Sequence, residues 1–128
     1  MLEAHRRLIE AGLLPEEMPN NYTFNKVGGI LSDLDKANPL ELNEAIKAAS
    51  RLEVHGPLSV VIYIKNHLRG RHEVEIDRVT ENEERDSKYG VLIYPEGELP
   101  INSKYLPDDI QEGSRLQYDP VNGEYTID

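Results

Sequence analysis

No cysteine occurs anywhere in the chain, so disulfides, zinc–thiolate sites and thiol chemistry are excluded from the outset. No apolar stretch approaches the roughly 20 residues that a membrane-spanning helix needs. Residues 1–7 open amphipathically, without the apolar core of a signal peptide. These absences predict a cytoplasmic protein with no membrane association. Catalytic signatures are missing too. None of Ser32, Ser50, Ser59, Ser87, Ser103 and Ser114 lies in a Gly-x-Ser-x-Gly elbow. The Gly28-Gly29 pair lacks the Lys-Ser/Thr of a phosphate loop, and its expected use is close approach to a neighbouring helix. Paired carboxylates (Asp108-Asp109, Glu83-Glu84, Asp33 with Asp35) fall in polar loops or on helix surfaces, where nothing separates their pKa values for acid–base work. His67 and His72, near Glu73 and Glu75, lack the i, i+4 spacing of a helical ligand pair. The expectation is a non-enzymatic protein without metal or cofactor, its two histidines on the surface beside a turn.

What the chain does have is an uneven distribution of charge. Its formal net charge is −10 over 128 residues, enough chain for one unit or two small subdomains sharing a core. Residues 1–72 carry nine Lys/Arg and nine Asp/Glu, whereas residues 73–128 carry five and fifteen, so all ten net negative charges lie in the second part. Such a surface repels nucleic acid and anionic membranes, and it serves either solubility, as a solvated face that keeps the chain monomeric, or a basic partner.

Periodicity divides the chain in a similar place. Leu2, Leu8, Ile9 and Leu13 make one apolar stripe, predicting a helix over 2–14, and Pro15 and Pro19 bracket a loop. Val27, Ile30, Leu31 and Leu34 predict a second helix over 23–36. Asn38, Pro39 and Glu41 are cap, first-turn proline and first-turn acid for a third, whose stripe is Leu42, Ala45, Ile46, Ala49 and Leu52. Gly56-Pro57 reads as its end. Leu58 to Ile64 is almost continuously apolar and β-branched, which favours a buried strand over a helix.

Beyond it Glu73 to Val79 alternates, Thr80 to Lys88 is polar and loop-like, and Tyr89 to Tyr94 and Leu99 to Ile101 read as strands. Arg115 to Tyr118 and Glu124 to Ile127 flank Asn122-Gly123, a strong hairpin signal. Between them, Leu99-Pro100, Leu106-Pro107, Asp108 and Gly113 are corner chemistry. Each Leu-Pro offers an apolar anchor to the core and a residue that leaves the ladder. Tyr89, Tyr94, Tyr105, Tyr118 and Tyr125 are expected to fill strand faces with their hydroxyls in water; a binding face is the alternative. The fold class is therefore α+β, with N-terminal helices (1–57) packed on a small antiparallel β-barrel (58–128) that shares their core.

Asp77-Arg78-Val79 ending a strand, hydrophobic Val91-Leu92-Ile93, Leu106-Pro107 ahead of Glu112-Gly113-Ser114, and a final Ile127-Asp128 form one pattern. With these features residues 75–128 resemble the DUF3006 family of small bacterial domains; the charged insert Thr80 to Lys88 is the departure. The resemblance implies a small β-barrel, often an accessory module, and carries no catalytic residues. It does not extend to residues 1–72.

Two partner classes follow. Glu73, Glu75 and Asp77 on one strand face would be a ladder of carboxylates about 6.6–7 Å apart. Such a ladder is close to the spacing of phosphates and suited to a basic protein partner. That is an accessory or inhibitory role of the kind small phage or mobile-element proteins carry. Charged strand faces also guard edges against aggregation. The alternative is nucleic-acid contact through Lys65, His67, Arg69 and Arg71, with Tyr63 alongside. Glu73, Glu75 and Asp77 lie within a Debye length of that patch (about 8 Å) and oppose it. Pairing of the basic tip with the acidic half, within the chain or between copies of a homo-oligomer, is favoured over nucleic acid, and a plain solvated loop is the remaining reading.

Overall fold

A computed structural model describes residues 3–17, 22–84 and 87–127. Pro19, Leu2 and Asp128 lie outside these residues. Four helices come first: α1 (Glu3–Glu10), α2 (Tyr22–Leu34), α3 (Pro39–Arg51) and α4 (Pro57–Arg69). Then follow β1 (His72–Asn82), β2 (Ser87–Tyr94), β3 (Gly97–Asn102), a single 3-10 turn (Ser103–Tyr105), β4 (Arg115–Asp119) and β5 (Glu124–Ile127). The α+β class holds.

Helix α3 begins as its residue types require. The Asn38 side chain accepts from the backbone N–H groups of Leu40 and Glu41, and Pro39 occupies the first turn, where no donor is needed. Asp35 plays a related part for α1, accepting from the Ala4 N–H at 3.2 Å. The Gly28-Gly29 pair serves no close approach, since a Cβ added at either would meet nothing within 4 Å.

Residues 58–64 are helical, against the strand expectation. Gly56 is the residue before α4, at φ 93°, and Pro57 sits in its first turn, so the Gly-Pro pair that reads as a stop is a start. The run is continuously apolar because α4 is enclosed: it packs on α2, α3 and β3, and Val60 through Ile64 are all buried. A helix buried all round shows no polar stripe, and its composition then mimics a buried strand. The helical part thus extends to Arg69, and the sheet begins at His72.

The five strands form one antiparallel sheet in the order β3-β2-β1-β4-β5. It is open, with β3 and β5 at opposite edges, so the barrel expectation is not met. Helices supply the reason. Val74, Ile76, Leu92, Leu99, Ile101 and Leu116 join the helix side chains in a single core, which buries the sheet's inner face without closure. Strand β1 is the pivot. Residues 72–75 pair with β4 and 75–82 with β2, with a register shift between Ile76 and Arg78. The strands run further into the charged insert than its composition suggests, because Thr80↔Tyr89 through Asn82↔Ser87 remain paired.

The corner keeps its predicted anchors and turn, but Pro100 stays in the ladder opposite Val91 instead of leaving it. Leu99 and Leu106 are buried anchors. Pro100 lies on an edge strand, where its missing donor costs no internal ladder bond. Gly113 takes φ 85° and donates to the Ile76 carbonyl at 2.8 Å, which docks the corner beside β1.

Candidate functional site

Tyr63 and His67 are four residues apart on α4, hence on one stripe facing the sheet. There they meet Tyr118 of β4. The Tyr63 hydroxyl donates to the Gly123 carbonyl at 3.3 Å and lies 2.7 Å from the Tyr118 hydroxyl, which also bonds His67 Nδ1. Donor counting assigns the protons. Tyr63 has given its single hydrogen to Gly123, so Tyr118 donates to Tyr63. The Tyr118 oxygen must then accept from His67 Nδ1–H. A neutral His67 therefore carries its lone pair on Nε2.

A second string runs beside the first. His72 Nδ1 donates to the Gly70 carbonyl at 2.8 Å. Its Nε2 therefore accepts from the Tyr94 hydroxyl at 3.3 Å, and Tyr94 in turn accepts from Tyr125 at 3.0 Å. Tyr118 stacks on His72 with ring centroids 5.2 Å apart and touches Tyr125 at 4.9 Å, so the two strings form one aromatic cluster between α4 and the sheet. The histidines are not on the surface: His67 and His72 are 9% and 6% exposed. Nor do the tyrosine hydroxyls of 94, 118 and 125 reach out to water; they bond one another and the histidines. Burial pushes the Tyr63 hydroxyl up to about 12, Tyr94 and Tyr118 higher still, and Tyr125 well above its ordinary value.

Burial also lowers the pKa of both histidines, because a charged imidazole loses hydration there. In the unfolded chain they titrate near about 6.5, so below that pH the unfolded state binds more protons. Stability is then present in full above about pH 6.5 and lost as pH falls towards the folded values. The urea midpoint is expected to drop between about pH 7.5 and about pH 5.5, before most carboxylates titrate. An unchanged midpoint across that interval would refute the neutral assignments.

His67 also lines an open cleft of about 330 Å³ with Glu41, Glu44, Leu68, Pro120 and Val121. A smaller hollow of about 130 Å³ adjoins it, where Lys47, Ala48, Arg51 and Gly123 join the lining. Arg51 is tied down there, donating to the Asn122 carbonyl at 2.5 Å. Sequence reasoning misses this cleft; the four-residue Tyr63–His67 spacing is its one signal.

The basic tip is dispersed. Lys65 pairs with Glu96 at 3.2 Å and Arg71 with Asp119 at 3.8 Å, while His67 is buried. Neither His67 nor Arg69 has an ion pair among the described residues. Pairing of the tip with the acidic half therefore occurs within the chain. Glu73, Glu75 and Asp77 stand on β1, the central strand, and Arg115 lies 3.6 Å from Glu73. Asp77 falls at the register shift and accepts from Arg78, which also holds Glu98 through two bonds of 2.8 and 2.9 Å. Glu75 has no ion pair among the described residues.

The paired carboxylates lie exposed, as expected. Among the described residues no group of three or more histidine or carboxylate side chains is placed to hold a metal ion. No described helix is long and apolar enough to cross a membrane. No family model matches the chain, and no curated protein or solved structure is significantly similar to it. Fold and site define the class by themselves: an α+β protein whose helices cover one face of an open antiparallel sheet.

Proposed function

We propose that the protein is a non-enzymatic interaction module whose bare sheet face binds a basic protein partner. The observation that carries this reading is Ile93, 49% exposed and paired between Glu75 on β1 and Glu98 on β3. An apolar centre flanked by carboxylates is the anatomy of a docking patch for a basic surface. Glu73, Glu75, Arg78, Thr80, Glu98 and Pro100 are exposed around it. Edge protection does not account for Glu73 and Glu75, because β1 is flanked by β2 and β4 there. The DUF3006 resemblance of residues 75–128 agrees with an accessory role. Dispersal of the basic tip counts against the nucleic-acid alternative.

Replacing Glu73→Gln, Glu75→Gln and Asp77→Asn together removes three charges while keeping shape. The pairs that are lost are exposed and screened by solvent, so folding should hold. Affinity for a nuclease-resistant basic partner is expected to fall about tenfold at low salt, with a weaker salt dependence. Undiminished capture by the triple variant, or capture abolished by nuclease, would refute the reading.

A further inference from the structure

The bare sheet face leaves the His67 cleft without a role, yet the cleft is built to receive something. Its floor is a histidine nine-tenths buried, held from behind by Tyr118 and Tyr63. With Nδ1–H committed to Tyr118, Nε2 is the nitrogen left to face the cleft, and it presents a lone pair. No described residue donates to it. The cleft thus offers a fixed acceptor to an incoming N–H. Glu41 and Glu44 stand at the rim, one turn apart on α3, and neither has a cationic partner among the described residues. The walls are Leu68, Pro120 and Val121, the last 87% exposed.

Acceptors at the rim and floor with apolar walls between them specify the occupant's chemistry. It must have a cationic N–H head and an aliphatic stem. Lysine and arginine side chains have that build, burying the stem while the head keeps polar partners. The volume, about 330 Å³, is at the small end of ligand pockets and suits a single long side chain. Lys47 and Arg51 at the adjoining hollow would repel the head and direct it to the Glu41–Glu44 end.

We propose that the cleft between α3, α4 and the β4–β5 turn is the receptor for one lysine or arginine side chain of a protein partner. The site is separate from the sheet face and stands without it.

The test is titration of the whole ¹⁵N-labelled protein with capped Gly-Lys-Gly and Gly-Arg-Gly peptides, followed by NMR. Saturable shifts are expected at Glu41, Glu44, His67, Leu68 and Val121, including the His67 Nε2 resonance. Glu44→Gln should weaken binding about three- to tenfold. His67→Asn, which keeps a donor for Tyr118 but loses the cleft-facing acceptor, should do the same. The triple sheet-face variant should bind the peptides as well as the parent, so failure here and failure of the sheet-face reading are told apart. Equal binding of a capped Gly-norleucine-Gly peptide, or an unchanged affinity in Glu44→Gln, would overturn the proposal. So would binding of butylammonium without binding of either peptide, since that would identify a small amine as the ligand.

Discussion

Gly123→Val is expected to lower stability by about 3–5 kcal/mol, the largest effect of any single substitution outside the apolar core. Two costs add at this residue. Its φ of 67° lies in the left-handed region, which a β-branched residue adopts only with strain of about 1–3 kcal/mol. A Cβ there would also sit 2.9 Å from Ala48 Cβ and 2.6 Å from Arg51 Nη2. Arg51 can swing away, but Ala48 is fixed on α3, so the turn must lift by a few tenths of an ångström. That lift would also pull the Gly123 carbonyl from Tyr63. Gly113→Val is the comparison. Its φ is 85° with nothing within 4 Å of an added Cβ, so it carries the strain alone, about 1–3 kcal/mol. Urea denaturation of the two variants measures both. Equal losses would mean that the β4–β5 turn is not seated on α3.

Tyr118→Phe should cost about 2–4 kcal/mol although it changes almost no volume. Its hydroxyl is the middle link of the first string, accepting from His67 and donating to Tyr63. Phenylalanine leaves His67 Nδ1–H buried without an acceptor, which costs more than the net worth of the bond itself. A second readout separates this from a packing defect. Freed from Tyr118, the His67 ring should exchange between tautomers, visible in its ¹⁵N chemical shifts. Tyr105→Phe removes a bond of 2.5 Å to Glu53, but at an exposed site where water replaces it, so the urea midpoint should barely move. Comparable losses from the two substitutions would contradict the buried string.

The α+β class, the three leading helices, the Asn38-Pro39 start, the Leu99 and Leu106 anchors and the Asn122-Gly123 hairpin were legible in the residues. Each rests on local chemistry: a cap that satisfies its own helix, a turn that needs its own φ, a period of two or of three and four. Helix α4 was not legible, because its polar stripe is absent. Whether such a run is strand or helix depends on what encloses it, and α2, α3 and β3 pack around residues 60–64. The same enclosure turned two histidines expected at the surface into buried links, since burial of a polar ring is decided by the partners waiting for it.

By itself, then, the sequence determined where the chain turns, which faces are apolar and how the charge divides at residue 72. These are properties of neighbours within a few residues of one another. Tertiary structure decided the rest. It left the sheet open, because α4 packs on it and its inner face is buried in the core it shares with the helices. It placed the Glu73–Asp77 row on an interior strand, because β4 comes to pair beyond a forty-residue separation. It assembled the His67 cleft from three elements that no local pattern relates, and there His67 Nε2 faces outward because Tyr118 holds the other nitrogen.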